Sequence, residues 1–391
     1  MDKAARPRNL LFVLYGDFRC NSAGHVHSLC REFSAMGLHC AVAVPHGKET
    51  VEHFQSFQFE PVLFEEVEKG RFRFPDGRGP DIVHAWTPRE KVRRFCHRVA
   101  ARYRFRQFVH MEDNEWHVLA RLTGTSLDRI KRLSPDDLDA FVPESLSHPE
   151  RGMDFMGESA GITLIIDKLR EIVPADVPTH VFWPSAQPEI FFERPLPKVD
   201  GRELGVPEGH TVIVYPGNVH PANAREVRSL YVAVAILNRE GFPVTLVRAG
   251  EDYATFLGHD DSWVRPYVID LGLRSRHEVS SVMAAADLFV QPGRPDVFND
   301  YRFPSKLPEF LSIGRPVILP ASNVALAMEH GRHGWILQEA NAVEIAGAVR
   351  KIMGDGELYR KLAAGALEFF HRRLNWTKTA KQLVEFYGES R

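Results

Sequence analysis

Leu288-Phe289-Val290-Gln291-Pro292-Gly293 is a short apolar run closed by two turn-forming residues. After Arg294 and Pro295 the chain continues Asp296-Val297-Phe298-Asn299-Asp300-Tyr301-Arg302-Phe303-Pro304-Ser305-Lys306-Leu307-Pro308-Glu309-Phe310-Leu311-Ser312-Ile313-Gly314-Arg315-Pro316-Val317-Ile318. An unbroken apolar run of this length reads as a strand buried on both faces. The polar, aromatic-rich stretch behind it becomes a helix near Ser305, with Glu309 in its first turn, and a second strand runs from Pro316 to Leu319. Strand, loop and helix start place backbone N–H groups and a positive dipole end at the carboxyl edge of a parallel sheet. That edge is where α/β proteins hold phosphorylated ligands.

The same order recurs along the chain. Leu10 to Leu14 is a strand of the same kind, and the segment from Gly16 to His25 is its loop. Val26, Leu29, Cys30 and Phe33 then recur at helical spacing, Gly37 is a stop, and Cys40 to Val44 is the next strand. The loop is not GxGxxG, so a dinucleotide fingerprint is absent. Gly24 reads either as a tight turn or as a point of close backbone approach to a ligand. Asp81 to His84, Arg106 to His110, Gly161 to Ile166 and His180 to Trp183 supply further strands, with short helices over 124–158. Residues 184–210 are proline-rich among charges and read as a linker. Beyond them come a strand at Thr211 to Tyr215, a helix from about Ala224 to Glu240, and strands at Val244 to Val247 and Tyr267 to Leu271. Ser275 and Glu278 have capping-box spacing before another helix. Trp376, Ala380, Leu383, Val384 and Tyr387 share one face of a last helix. The doubled pattern predicts an α/β protein of two Rossmann-like domains facing a cleft.

Composition narrows the function classes. At 391 residues the chain is too long for one ordinary core. Lys plus Arg number 49 against 51 Asp plus Glu, which argues against a nucleic-acid partner. The apolar runs are strand-sized, the start lacks the apolar region of a signal peptide, and Cys20, Cys30, Cys40 and Cys96 show no metal or disulfide spacing. The expectation is a cytoplasmic protein with free thiols.

Two clusters stand apart from the opening stretch. His110 ends a strand and runs into Met111-Glu112-Asp113-Asn114-Glu115, an acid density that calls for a ligand, a cation, water or a helix dipole. Between Arg89 and Arg106 there are eight Lys or Arg against Glu90 alone. That helix is read as a solvated face or as a cationic surface, through Lys91, Arg94, Arg98 and Arg102, for the inner face of an anionic membrane or a phosphate-bearing acceptor.

The chain resembles the retaining glycosyltransferases of family 4, the glycosyl transferases group 1, which have the GT-B fold. The residues that carry the likeness are Tyr215-Pro216-Gly217-Asn218, Leu246-Val247-Arg248-Ala249-Gly250, Ala285-Ala286-Asp287-Leu288-Phe289-Val290-Gln291-Pro292-Gly293 and Pro304-Ser305-Lys306-Leu307-Pro308-Glu309-Phe310-Leu311. Asp81-Ile82-Val83-His84-Ala85 and Ser22-Ala23-Gly24-His25-Val26 match more loosely. The resemblance implies an acceptor-binding domain over 1–190, a nucleotide-sugar-binding domain over 191–370, and a helix over 371–391 that packs back on the first. It implies a nucleotide diphosphate sugar as donor, a glycan, glycolipid or other hydroxyl acceptor, no metal and no cofactor. Two glutamates with seven residues between them are the family's signature. Glu309 matches the second, which bonds the ribose, while the first falls at Tyr301, leaving Asn299 or Asp300 to meet the sugar hydroxyls.

The family often has an Arg after the glycine at 217 and a Lys a few residues on, and here Asn218 takes the first place. Arg225, Arg248, Arg302 and Lys306 are the cations left for the diphosphate, with Lys306 and Arg248 favoured, and Ser305, Gly217 and Gly24 complete the candidate donor contacts. A lone histidine at a strand end is commonly structural; the resemblance instead makes His110 a contact of the donor sugar, with Glu112 and Asp113 orienting the acceptor. The departures at Asn218 and Tyr301 keep open a non-catalytic GT-B protein that binds nucleotide or glycan. A GT-B nucleotide-sugar epimerase is a third reading, though its acid and histidine motifs are not evident.

Overall fold

The computed structural model describes residues 7–187 and 197–390. The chain packs as two units, one of Met1–Pro184 with Trp376–Arg391 and the other of Ser185–Asn375. The expected boundary between 190 and 191 lies outside the described residues, as do Pro188 and Pro195 of the expected linker.

In the first unit, strands β1 (Asn9–Val13), β2 (His39–Val44), β3 (Glu60–Leu63), β4 (Ile82–Trp86), β5 (Arg106–Met111), β6 (Gly161–Leu164) and β7 (Thr179–Val181) form one parallel sheet in the order β3-β2-β1-β4-β5-β6-β7. Its helices are α1 (Asn21–Ala35), α2 (Phe64–Glu68), α3 (Glu90–Ala100), α4 (Glu115–Thr123), α5 (Leu127–Ile130), α6 (Pro135–Phe141) and α7 (Pro149–Gly157). The strand order reverses between β1 and β4, which pair directly, Leu11 beside Val83 and Phe12 beside His84. At such a reversal the loops leave in opposite directions and open a crevice above the strand ends. The short helices of the insertion are capped by Ser126, Ser134 and His148 and close over a satellite core of Leu119, Ile130, Leu138 and Leu146. Gly24 sits inside α1 rather than in a turn, its carbonyl accepting from Ser28 Oγ at 3.0 Å.

In the second unit, β8 (Thr211–Pro216), β9 (Val244–Ala249), β10 (Val268–Asp270), β11 (Leu288–Val290), β12 (Val317–Pro320) and β13 (Trp335–Leu337) pair in the order β10-β9-β8-β11-β12-β13. Helices α8 (Ala224–Arg239), α9 (Arg276–Ala284), α10 (Val297–Asp300), α11 (Leu307–Ile313), α12 (Ala342–Gly354) and α13 (Gly356–Arg373) flank it. The order reverses between β8 and β11, whose register sets Phe289 beside Val214. α9 begins at the expected capping box, Ser275 with Glu278. α11 is anchored by Phe310 stacked on Phe289 of β11, with ring centroids 4.5 Å apart.

The last helix, α14 (Trp376–Glu389), belongs to the first unit. Trp376, Ala380, Leu383 and Tyr387 are buried in the same cluster as Phe12, Phe33, Trp86 and Phe108. Among the described residues no helix is long and apolar enough to cross a membrane.

Candidate functional site

At the reversal of the second sheet, the loops after β8 and β11 and the start of α11 enclose a cavity of about 100 Å³. Lys306, Arg302, Ser305 and Asn299 line it, together with Glu226, Gln291 and Asn323. The Lys306 chain folds over Gly217 so closely that a Cβ there would stand 2.4 Å from its Cε. Gly217 is thus the residue that lets the ammonium lie against the β8 loop, 5.8 Å from the centre of the Tyr215 ring. Burial lowers the Lys306 pKa and nearby Arg302 adds to this, while Glu309 opposes it. Burial likewise pushes Glu309 up to about 7, against the pull of Arg276 and Lys306. Two cations and the Glu226 carboxylate at one strand edge suit an anion with polar neighbours. The helix behind them is only seven residues long and begins at Leu307, so side chains, more than a helix end, supply the positive charge.

The other expected donor residues lie elsewhere. Arg248, expected to grip the diphosphate, is 1% exposed and committed within the fold. Its Nη2 meets Asp252 Oδ1 at 2.6 Å and donates to the carbonyls of Gly217 and Glu251, and Nη1 lies 3.7 Å from Asp270 Oδ2. It is a strut between two loops. Asn218 has a similar task, its Oδ1 accepting from the Glu251 backbone N–H at 2.9 Å. Arg225 is exposed on the first turn of α8, outside the cavity lining. Asp300 closes α10, and Tyr301, at the place of the signature acid, is buried; neither is among the described residues that line the cavity. Glu226, Gln291 and Asn323 were not legible as site residues. An acid in a first helical turn reads as a partner of the helix dipole, which is how Glu226 escapes notice.

The first unit gathers a second polar group at the edge of β4 and β5. Glu112 Oε2 accepts from Ser22 Oγ at 2.5 Å, and Oε1 takes Trp86 Nε1–H at 2.9 Å and lies 3.0 Å from His25 Nδ1. Burial acts to raise its pKa, but the bond and charge of His25, with His110 and Ser22, outweigh it and hold the carboxyl at about 2. The dense acids are therefore partly satisfied from α1, which sequence spacing could not show. Asp113 adds to the field on Arg89 after Glu115, Tyr15 and Glu112. Arg89 lies 3.8 Å above the Tyr15 ring and 3.6 Å from Glu115 Oε2. Between these groups Thr87 has φ of 76°, a left-handed conformation costly for a β-branched residue, held by its N–H bond to the His110 carbonyl.

His110 is fully buried between Phe182 and Trp86, with Nδ1 at 2.8 Å from Thr163 Oγ1. Burial pulls its pKa down to about 3, so the ring is neutral. On α3 two of the four cations of the expected stripe, Arg94 and Arg98, stand in ion pairs. Arg93 and Arg94 bond Glu90, Arg94 also meets Glu144, and Arg98 bonds Glu68 at 2.8 Å.

Residues 210–355 match the family model described as Glycosyl transferases group 1. The D-inositol 3-phosphate glycosyltransferase of Stackebrandtia nassauensis is 28% identical over 221 residues, 53% of this chain and 48% of that protein. The chain thus spans about half the length of that relative. Among solved structures, Anabaena Alr3699/HepE in complex with UDP and glucose is 14% identical and matches with a TM-score of 0.68 over 97% of this chain and 99% of that one. Sucrose-phosphate synthase from Thermosynechococcus elongatus is 15% identical, with a TM-score of 0.69 over 97% and 98%. At these identities the structural likeness bears on the fold alone.

Proposed function

From the premise that the chain belongs to the group 1 glycosyltransferases of family 4, with the GT-B fold, we propose that it moves a sugar from a nucleoside diphosphate donor to a hydroxyl acceptor with retention of configuration. The observation that carries this reading is the cavity at the β8/β11 reversal, where Lys306 and Arg302 converge beside Ser305. A diphosphate leaving group needs its growing charge met, and those two cations meet it without a resident metal or cofactor. The acceptor oxygen forms a bond to the anomeric carbon as the bond to the diphosphate oxygen breaks, and the hydroxyl proton passes to the departing diphosphate. Glu309, one turn beyond Lys306, takes the ribose hydroxyls. On the first unit Glu112, held anionic, orients the acceptor with Asp113.

Titration with a panel of nucleoside diphosphate sugars, followed by product analysis by NMR, tests this. Turnover that preserves the anomeric configuration is expected; no binding and no donor hydrolysis across the panel would count decisively against it. Glu309→Ala should weaken nucleotide binding by about tenfold, the loss of a bidentate hydrogen-bonding carboxylate, and unchanged affinity removes Glu309 from the site. Asn218 tied into its loop and Tyr301 buried where an acid was expected favour a second reading, a GT-B protein that binds nucleotide without turnover. Tight binding with no product from any acceptor would select it.

A further inference from the structure

The cavity at the β8/β11 reversal has a pole opposite in character to its cations. Glu226, in the first turn of α8, is the only carboxylate among the described residues that line it. It is half-buried and makes no hydrogen bond or ion pair among the described residues, although Lys306 and Arg302 share the lining. Gln291, directly after β11, also lines the cavity. Its Nε2 donates to the Pro292 carbonyl at 2.9 Å, which leaves Oε1 buried without a partner. Turning that amide over would set oxygen against oxygen, so the acceptor end is the one left over.

A count of donors shows what this pole lacks. The Asn223 amide donates to the Asn218 carbonyl at 3.1 Å and to the Tyr215 oxygen at 3.5 Å. Asn299 donates to Asp296 Oδ1 at 3.0 Å, and Asn323 donates to the Asn299 carbonyl at 3.1 Å and to Ser322 Oγ at 3.3 Å. The amides of the lining thus tie the loops to one another, and the acceptors on Glu226 and Gln291 are left over. A buried acceptor left unmet is costly, and a half-buried carboxylate is met by water until a ligand displaces it. The group that completes this pole therefore has to bring hydrogen-bond donors. A divalent cation fits poorly, since it would find one carboxylate beside two fixed cations. Neighbouring hydroxyls bring donors without charge, and one carboxylate accepts from two of them at once.

We propose that Glu226, together with Gln291 of the same lining, binds a pair of neighbouring hydroxyls of the donor, in its ribose or in the transferred sugar. This deepens the sugar-transfer reading and rests on it. It also supplies from α8 the carboxylate expected at Tyr301. The charge of Glu226 opposes the phosphates that Lys306 and Arg302 attract. Without a hydroxyl contact its removal should therefore tighten every phosphate-bearing ligand. The hydroxyl contact predicts the opposite sign.

Titration calorimetry of the full chain reads that sign, with UDP-glucose, GDP-mannose and ADP-glucose, the matching UDP, GDP and ADP, and the deoxyribose form of each diphosphate. Glu226→Ala should weaken whichever nucleotide sugar the parent binds by about tenfold, and Glu226→Gln by about threefold. Weakening confined to the sugar-bearing ligand assigns the hydroxyls to the sugar. Weakening shared by the diphosphate but absent from its deoxyribose form assigns them to the ribose, and both results uphold the proposal. Unchanged or tighter binding of the nucleotide sugar in Glu226→Ala overturns it and leaves the sugar-transfer reading in place. Equal weakening of all three kinds of ligand also overturns it, as a loss of cavity shape, and thermal melts of each variant accompany the titrations. A loss seen only with added magnesium, and abolished by EDTA, overturns it in favour of a metal ligand. A parent that binds none of these probes removes the sugar-transfer reading itself, and this assignment with it.

Discussion

Glu309 is a carboxyl whose pKa in the fold, about 7, lies above its free value of 4.5. The folded chain therefore keeps a proton that the unfolded chain has already released, and stability falls as pH rises through that window. Glu309→Gln removes the penalty. The variant should match the parent in urea unfolding at pH 4 and exceed it at pH 8 by up to about 3 kcal/mol, while binding nucleotide more weakly. Glu112 has the opposite sign, its pKa depressed to about 2. Its contribution is present above the unfolded value and is lost as pH falls toward 2. Glu112→Gln should thus cost about 2–3 kcal/mol at pH 7 and progressively less in acid, measured by the same unfolding curves. Arg248→Ala should destabilise by about 2–3 kcal/mol, because the carbonyls of Gly217 and Glu251 lose their donor while the half-exposed Asp252 and Asp270 regain water. At this scale the sequence placed Lys306 and Glu309 beside one another on one short helix. It assigned Arg248 to a ligand because the acids that hold it come from two later loops. The hydrogen bonds that join Tyr387, His84, Thr163 and His110 link residues far apart in the chain, and no local pattern encodes them.

The β8 loop works only because Gly217 has no side chain. A Cβ would meet Lys306 at 2.4 Å and the Tyr215 ring at 3.0 Å. Gly217→Ala should displace the flexible lysine before it disturbs the sheet: nucleotide affinity should drop about tenfold with a melting temperature close to the parent's, measured by titration and thermal unfolding. The loop's fit to the neighbouring one is tighter still, since Gly250, with φ of 139°, approaches the Gly217 carbonyl so closely that a Cβ would come within 2.6 Å. Elements with continuous apolar runs, such as β1 and β11, were legible because burial on both faces imposes that composition. The edge strands β3 and β13 were not, since four residues of Glu-Pro-Val-Leu and three of Trp-Ile-Leu carry too little period to separate from a loop. α10 escaped for the same reason, four residues in a stretch that reads as polar loop.

Across the whole molecule the doubled α/β pattern was legible from the order of strands and helices, since buried parallel strands and capped helices each leave a local mark. The assignment of α14 followed from its apolar face and the family likeness, and its burial in the first unit is now concrete in Trp376, Ala380, Leu383 and Tyr387. Removing 376–391 should strip several kcal/mol of apolar burial from that unit, at roughly 1.5–3 kcal/mol for each large side chain. Calorimetry should then show the first unit's transition lowered or absent while the second unit's is retained; coincident loss of both would mean that the two melt together.

Because the first unit takes residues from both sides of Ser185–Asn375, the second is interrupted by nothing while the first is interrupted by all of it. On the ribosome, where the chain emerges from its amino end, the segment made first must wait. Seven strands are exposed with a gap where Tyr387 and its neighbours belong, while the segment made later can already close. Refolding order and exposure to chaperones should follow that schedule, with the oldest part of the chain the last to be finished.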